Sequence, residues 1–283
     1  MEHIQTQTTW WAQLKKRQPL LHFVLWILVL LTFYPFIAML FMSVKDNPQF
    51  VHARWVPTLP MHFVNYRYAW QAVGRYVWNS IFTSGVTAVG VVTFCSLSAY
   101  VFGRFDFPGK GFLYILIIAL MMIPGVLTLV PSFILVRDLK LLDSYWVLIL
   151  PWIAGGQPFG ILLLRTFFEG LPGELFESAR LDGANEFGVL RRIVLPLSAP
   201  ILGTLAIMNV TSTWNAVIWP SVTISSNRYK TIVFGLWGFQ GQYYTSWGPL
   251  NAAYAISAIP LLIMFAFTSK LFIQGLTSGA LKV

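Results

Sequence analysis

The groups able to do chemistry are few in this chain, and half of its carboxylates sit in one place. Five of its ten acidic residues, Glu169, Glu174, Glu177, Asp182 and Glu186, fall between positions 169 and 186. None of the ten lies in the middle of a long apolar stretch. A carrier driven by protons or sodium usually keeps ionisable groups at membrane depth, where they are costly and therefore purposeful, although carbonyls alone can hold sodium. The four histidines, His3, His22, His52 and His62, all stand in the first quarter of the chain. A Ser–His protease needs a buried His facing a buried Ser, and only His22 lies in an apolar stretch, among Leu and Phe. The nearest approach to a phosphate loop is GRFDFPGKG at 103–111. It has one residue too many between its glycines, and Gly111 stands where a hydroxyl must bind magnesium. Cys95 is the single cysteine, so no intrachain disulfide forms, and no Cys/His metal spacing occurs. The expectation is no catalytic residue, no metal and no cofactor bound by this chain.

The elements that carry these groups follow from composition. The chain has 283 residues, 57% hydrophobic and 10% charged, with a mean hydropathy of +0.67. Soluble domains carry about 25% charged residues, so this is a membrane protein. Its net charge of +9 comes from nineteen Lys and Arg scattered mostly singly, without the basic stripe that a nucleic-acid partner requires. Twelve Trp and eleven Tyr suit membrane interfaces.

Crossing the hydrocarbon takes about 20 apolar residues in a helix, and runs of that length satisfy their backbones only as helices. Six stretches qualify: 20–44, 80–102, 112–136, 144–168, 200–224 and 251–272. The expected fold is all-α with six transmembrane helices over residues 20–272. A polar tail at 1–19 precedes them, ending at Pro19, and a tail at 273–283 follows. The first stretch is too long for a signal h-region and no A-x-A site follows it, so it reads as an uncleaved span. Loops at 45–79 and 225–250 and a charged passage at 169–199 connect the spans. Placing both termini in the cytoplasm gives the inside eleven basic residues and the outside eight. Lys15, Lys16 and Arg17 lie directly against the first span, where charge counts most. That places 169–199 in the cytoplasm and the loops 45–79 and 225–250 outside.

Pro35, Pro124, Pro131, Pro151, Pro158, Pro220 and Pro260 lie in or at the ends of spans. They read equally as hinges around a pathway and as packing that a bilayer tolerates. Gly156 and Gly160 have the small-xxx-small spacing that lets helices approach closely.

The passage 177–196 reads ESARLDGANEFGVLRRIVLP. Glu174 opens a short helix whose acidic first turn complements the helix dipole, and Leu175, Phe176 and Ala179 share one apolar face. Asp182-Gly183 breaks that helix, since glycine reaches positive φ freely. Asn185 caps a second helix that carries Phe187, Leu190, Ile193 and Val194 on one side and ends at Pro196. Two readings fit this elbow. One is a solvated loop. The other is a docking knob, with Ala179 small enough at its centre to admit a partner and charges around the rim.

Glu177-Ser178-Ala179, followed at fixed spacing by Gly183, Ile193, Leu195 and Pro196, resembles the EAA signature of permease subunits in binding-protein-dependent ABC importers. Ser178 replaces the first alanine of that signature. Asp182-Gly183-Ala184 resembles the form found in the carbohydrate-uptake branch. Asn79-Ser80, the turn at Arg104–Gly109, Met122-Ile123-Pro124, Trp214-Asn215 with Pro220, and the ending Gly275–Lys282 are also similar to the family. The last of these resembles the smaller membrane half of maltose-type importers. The resemblance implies a type I importer permease fold in the cell membrane, with Glu177, Ser178, Ala179, Asp182, Gly183, Ile193, Leu195 and Pro196 coupling to an ATPase. It implies a heterodimer with a second permease subunit, two ATPase subunits that bind the ATP and magnesium, and an extracytoplasmic solute-binding protein. A self-sufficient secondary carrier is the rival reading.

Two further sets of residues complete the expectation. Asn209, Thr211, Ser212, Trp214 and Asn215 form an uncharged polar and aromatic set that suits a sugar pathway, and equally suits hydrogen bonding between packed helices. In the loop 225–250, Gly235, Gly238 and Gly241 would allow tight turns. Trp237, Phe239, Tyr243, Tyr244 and Trp247 there supply contact surface. That loop reads as a belt on lipid headgroups or, on the family resemblance, as a finger entering the binding protein.

Overall fold

A computed structural model describes residues 5–239 and 246–280, and the side chains of 20–237 and 246–270. In chain order its helices are α1 (Gln5–Ser43), α2 (Asn47–His52), α3 (Val64–Arg104), α4 (Lys110–Ala119), α5 (Leu129–Asp138), α6 (Trp146–Glu169) and α7 (Gly173–Leu181). Then follow α8 (Glu186–Val189), α9 (Leu195–Leu197), α10 (Ala199–Trp214), α11 (Ile218–Thr223), α12 (Ile232–Phe239) and α13 (Trp247–Ala280).

Four helical stretches are long and apolar enough to cross a membrane: Leu20–Ser43, Val64–Arg104, Trp146–Glu169 and Trp247–Lys270. The bent pair Glu186–Leu197 and Ala199–Trp214 makes a fifth candidate. Residues 112–136, expected as one span, are instead two pieces: α4 with a 3-10 turn at Leu120–Met122, then α5, which starts only at Leu129. Pro124 and Gly125 interrupt the helix, because proline clashes with the carbonyl four residues back. Residues 200–224 are likewise divided into α10 and α11 between Asn215 and Val217. The loop expected at 45–79 is shorter than its polarity suggested, since α3 already begins at Val64.

The chain divides into two compact units. One comprises residues 1–69 and 244–255. In it, Asp46 and Gln49 form a capping box at the start of α2, with Gln49 N donating to Asp46 Oδ1 at 2.9 Å. Lys45 is buried, and its ammonium donates to the carbonyls of Ala53, Arg54 and Val56. Phe50 stacks on Trp247 with ring centres 4.6 Å apart, and Trp247 N donates to Asn47 Oδ1 at 3.0 Å.

The other unit comprises residues 70–243 and 256–283 and contains the candidate site. Its core runs from Val91, Cys95 and Ala99 on α3 through Ile161, Leu164 and Phe168 on α6 to Ile201 and Leu205 on α10. Gly156 and Gly160 let α6 lie against α3: a methyl group on Gly156 would stand 2.8 Å from Val91 Cγ2, and one on Gly160 would strike Cys95 Sγ. The close approach expected of that spacing is therefore realised within the chain.

Candidate functional site

Residues 173–198 fold as the elbow that their sequence foretells, by identifiable local chemistry. At the end of α7, Ala184 N donates to Ala179 O at 2.9 Å and Gly183 N to Arg180 O at 3.0 Å. Those two bonds define a Schellman motif, which needs a left-handed residue at its turn. Gly183 supplies it, with φ at +78°. Asn185 then caps α8, its Oδ1 accepting from Gly188 N at 2.7 Å. Beyond α8 the backbone widens into a π turn at Leu190–Val194, a feature frequent at functional sites. Ile193 lies in that turn, and Leu195 and Pro196 lie in α9. The chain turns by 78° between the 186–197 segment and α10.

The elbow's apolar face points the other way from the one expected. Ala179 is only 6% exposed and Phe176 5%, because both pack into the chain's own core with Val189, Leu190 and Val194. Ala179 is small so that α7 can close on this core, not so that a partner can reach it. Phe187 does not join Leu190 and Val194, and it is 64% exposed. Leu181, which the sequence did not single out, is 89% exposed, and Leu175 is 38% exposed. Glu177, Ser178 and Asp182 are all exposed. Ser178 Oγ donates back to Glu174 O at 2.9 Å. The Glu177 and Asp182 carboxylates make no hydrogen bond or ion pair among the described residues.

A set of side chains that sequence reasoning missed holds the elbow in place. Arg104, the last residue of α3, donates from one Nη to Phe168 O at 2.6 Å and Leu171 O at 2.9 Å. Phe168 O lies in the last turn of α6 and Leu171 O two residues beyond its end, where the intrahelical ladder runs out. The same guanidinium lies 3.7 Å from the centre of the Phe176 ring. One turn earlier on α3, Tyr100 Oη donates to Glu186 Oε2 at 2.7 Å, while Arg180 pairs with Glu186 Oε1 at 3.0 Å. Arg104 and Tyr100 thus fasten both arms of the elbow to α3. The sequence signal for Arg104 was its place at the start of the family-like turn Arg104–Gly109, which said nothing of this role.

We expect Arg104→Ala to lower the stability of the folded chain by about 3 kcal/mol. Charged hydrogen bonds contribute about 1.5–3 kcal/mol each, and a sheltered cation–π contact about 2 kcal/mol, of which relaxation recovers part. Thermal unfolding in detergent measures this. Arg104→Lys, which keeps a donor but loses the stack, should fall between.

The other predicted residues are dispersed. Thr211, Ser212 and Asn215 are exposed on one side of α10 and its end, whereas Trp214 is only 3% exposed. Trp214 therefore has no free ring face to offer a ligand. Asn209 faces inward near Gly156, and its Oδ1 is buried without a hydrogen-bond partner among the described residues.

In the loop 225–250, Gly235 and Gly238 do not make turns, because they lie within α12. A methyl group on Gly235 would strike the Tyr76 ring, so this glycine serves a close approach. Trp237 is 62% exposed, and Phe239 ends α12. Gly241, Tyr243 and Tyr244 lie outside the described residues. The base of this loop is held by Asn79, whose Nδ2 donates to Arg228 O at 2.9 Å and Lys230 O at 2.8 Å. Its Oδ1 accepts from Tyr145 Oη at 2.8 Å. Ile232 N donates to Ser80 Oγ at 2.8 Å. The Asp143 carboxylate accepts from Ser226 N at 2.9 Å and Ser225 N at 3.0 Å. The Ser226 amide foremost holds this acid below the usual carboxylate range.

The described residues thus form helices and turns, with a fastened elbow between two apolar helices. Residues 96–278 match the family described as the binding-protein-dependent transport system inner membrane component, and the chain belongs to that family. It is 34% identical over 221 residues to the arabinooligosaccharides transport system permease protein AraQ of Halalkalibacterium halodurans, covering 77% of this chain and 78% of that one. It is 30% identical over 270 residues to the trehalose/maltose transport system permease protein MalG of Thermococcus litoralis, covering 90% and 94%. Its fold is shared with a chain of a bacterial ABC transporter involved in the import of the acidic polysaccharide alginate. That match has a TM-score of 0.78 at 23% identity over 91% of this chain and 97% of the other.

Proposed function

We propose that this chain is one membrane half of an ATP-driven importer for a di- or oligosaccharide, itself without catalytic activity and powered through the elbow at 173–198. The observation that carries this reading is the elbow's construction. It is rigidly fastened to α3 at its base, yet leaves Leu181 and Phe187 in solvent beside the unpaired carboxylates Glu177 and Asp182. Exposed large apolar groups rimmed by charge mark an interaction site. A merely solvated loop has no use for them. The relatives named for arabinooligosaccharides and for trehalose and maltose support a sugar as the cargo.

On this reading both termini are cytoplasmic, the membrane is the cell membrane, and the chain crosses it six times with the third and fifth spans interrupted. A second permease subunit completes the pathway, two ATPase subunits sit beneath it, and a solute-binding protein docks above. Gentle solubilisation is expected to recover the ATPase with this chain. Sugar uptake into vesicles should survive collapse of the proton and sodium gradients and stop without ATP. Uptake that follows a gradient instead identifies a secondary carrier and overturns the proposal.

The loop beyond Asn79 and Asp143 is assigned to the binding protein, with Trp237, Gly238, Phe239, Tyr243 and Tyr244 as its contact surface. Shortening it across Gly238–Tyr244 is expected to leave basal ATP hydrolysis unchanged. It should remove at least nine-tenths of the stimulation by loaded binding protein. Unchanged stimulation would return the loop to the lipid surface.

A further inference from the structure

The third and fifth apolar stretches are both interrupted, and the break in the third faces the start of α11, just past the break in the fifth. Gly125, Val126 and Thr128 from the break between α4 and α5, with Leu129 and Ser132 of α5, face Ile218 and Trp219 of α11. Pro151 and Trp152 of α6 close the third side. The cavity between them holds about 430 Å3, within the range of roughly 300–1,000 Å3 typical of small-molecule sites. Non-helical backbone at membrane depth is not tolerated against lipid, and survives only where protein covers it or where it lines a watered cavity. Transporters hold substrate at discontinuous helices for that reason.

The lining of this cavity says what it would take. It carries no charged side chain. Trp219 is fixed by its Nε1, which donates to Val147 O at 2.8 Å. The Trp152 indole N–H and the Ser132 hydroxyl have no hydrogen-bond partner among the described residues. Thr128 Oγ1 donates to Gly125 O at 2.9 Å and keeps its lone pairs free. Half-buried indole faces beside unspent neutral donors and acceptors match a pyranose or furanose ring, which is apolar on its faces and ringed by hydroxyls. They present no counter-charge to an ion. Resting on the importer reading above, we infer that this half contacts the sugar itself, with Trp152 as the stacking platform and Ser132 and Thr128 as hydroxyl partners.

Gly125 makes the test clean. No atom lies within 4 Å of where its side chain would begin, and its φ is not positive, so Gly125→Leu should fill the cavity without disturbing the fold. The complete complex, reconstituted with its ATPase and binding protein, is first given radiolabelled maltose, trehalose, arabinobiose and diacetylchitobiose. The sugar it accumulates becomes the probe. In Gly125→Leu and Trp152→Ala, uptake of that sugar is expected to fall at least tenfold. ATP hydrolysis stimulated by loaded binding protein should stay within twofold, and Trp152→Phe should recover most of the uptake. Cys95 is fully buried, so within this chain a small neutral thiol reagent in Ser132→Cys reports on this cavity, and labelling is read on this chain after the subunits are separated. The probe sugar should slow that modification at least threefold during turnover. Uptake at the wild-type level in both cavity variants, or labelling that ignores the sugar, overturns the site. Uptake and stimulated hydrolysis falling together would make the cavity a seat for the second permease subunit and also overturn it. A wild-type complex that hydrolyses ATP but accumulates none of the four sugars overturns the sugar reading, and this site with it.

Discussion

Gly183→Val is expected to abolish coupled transport while leaving the chain inserted and folded. The turn at Gly183 has φ at +78°, and the two Schellman bonds close only in that conformation. A left-handed backbone costs an L-residue roughly 1–2 kcal/mol, and for a β-branched residue it is a genuine outlier. That is enough to shift the elbow's population by about 5–30-fold away from its native angle. No other atom stands within 4 Å of the position a side chain would take, so the effect is conformational and not steric. The control is therefore sharp. Gly183→Asn, which tolerates the left-handed region, should keep at least half of the uptake, while Gly183→Val loses more than nine-tenths. Glu177→Lys, which reverses an exposed and unpaired carboxylate, should lose transport-stimulated hydrolysis with no change in melting temperature. Normal uptake in Gly183→Val and Glu177→Lys would reduce the elbow to a solvated loop.

The double variant Leu181→Asp with Phe187→Asp is expected to release the ATPase altogether. Burying each such side chain stabilises an interface by about 1.5–3 kcal/mol. Losing both weakens binding by about 10²–10⁴-fold. Since the two side chains are 89% and 64% exposed, their removal should leave the melting temperature of the isolated chain where it was. Ala179→Val makes the opposite prediction. At 6% exposure the added methyl groups overpack the core, at a cost of roughly 1–3 kcal/mol, so it should lower stability first and binding only as a consequence. Co-purification and thermal unfolding of the two variants separate the docking surface from its support. An ATPase that stays bound to the Asp pair would place the contact elsewhere on the chain.

Much of this molecule is legible in its sequence. The apolar stretches dictated helices, because a backbone in hydrocarbon has no other partner than itself. Asp182-Gly183 and Asn185 dictated the elbow, because a left-handed turn and an N-cap are local chemistry that the surroundings need not assist. The spacing of Gly156 and Gly160 allowed for a close helix approach, and the structure supplies α3 as the partner.

Three things were decided only in three dimensions. Periodicity identifies an apolar face without saying what covers it, so Phe176 and Ala179 could equally have met a partner or their own core. The packing of α3, α6 and α10 settled that in favour of the core and left Leu181 and Phe187 outside. Hydropathy averages over a window, and therefore ran straight through the breaks at Pro124–Thr128 and Asn215–Val217, although a single proline such as Pro124 can outweigh the neighbouring leucines. Finally, Arg104 sits 64 positions from Phe168 and Tyr100 sits 86 from Glu186. No local pattern joins residues so far apart. Only the close seating of α3 against α6 and α7 brings a guanidinium to the end of one helix and a phenol to the first turn of another.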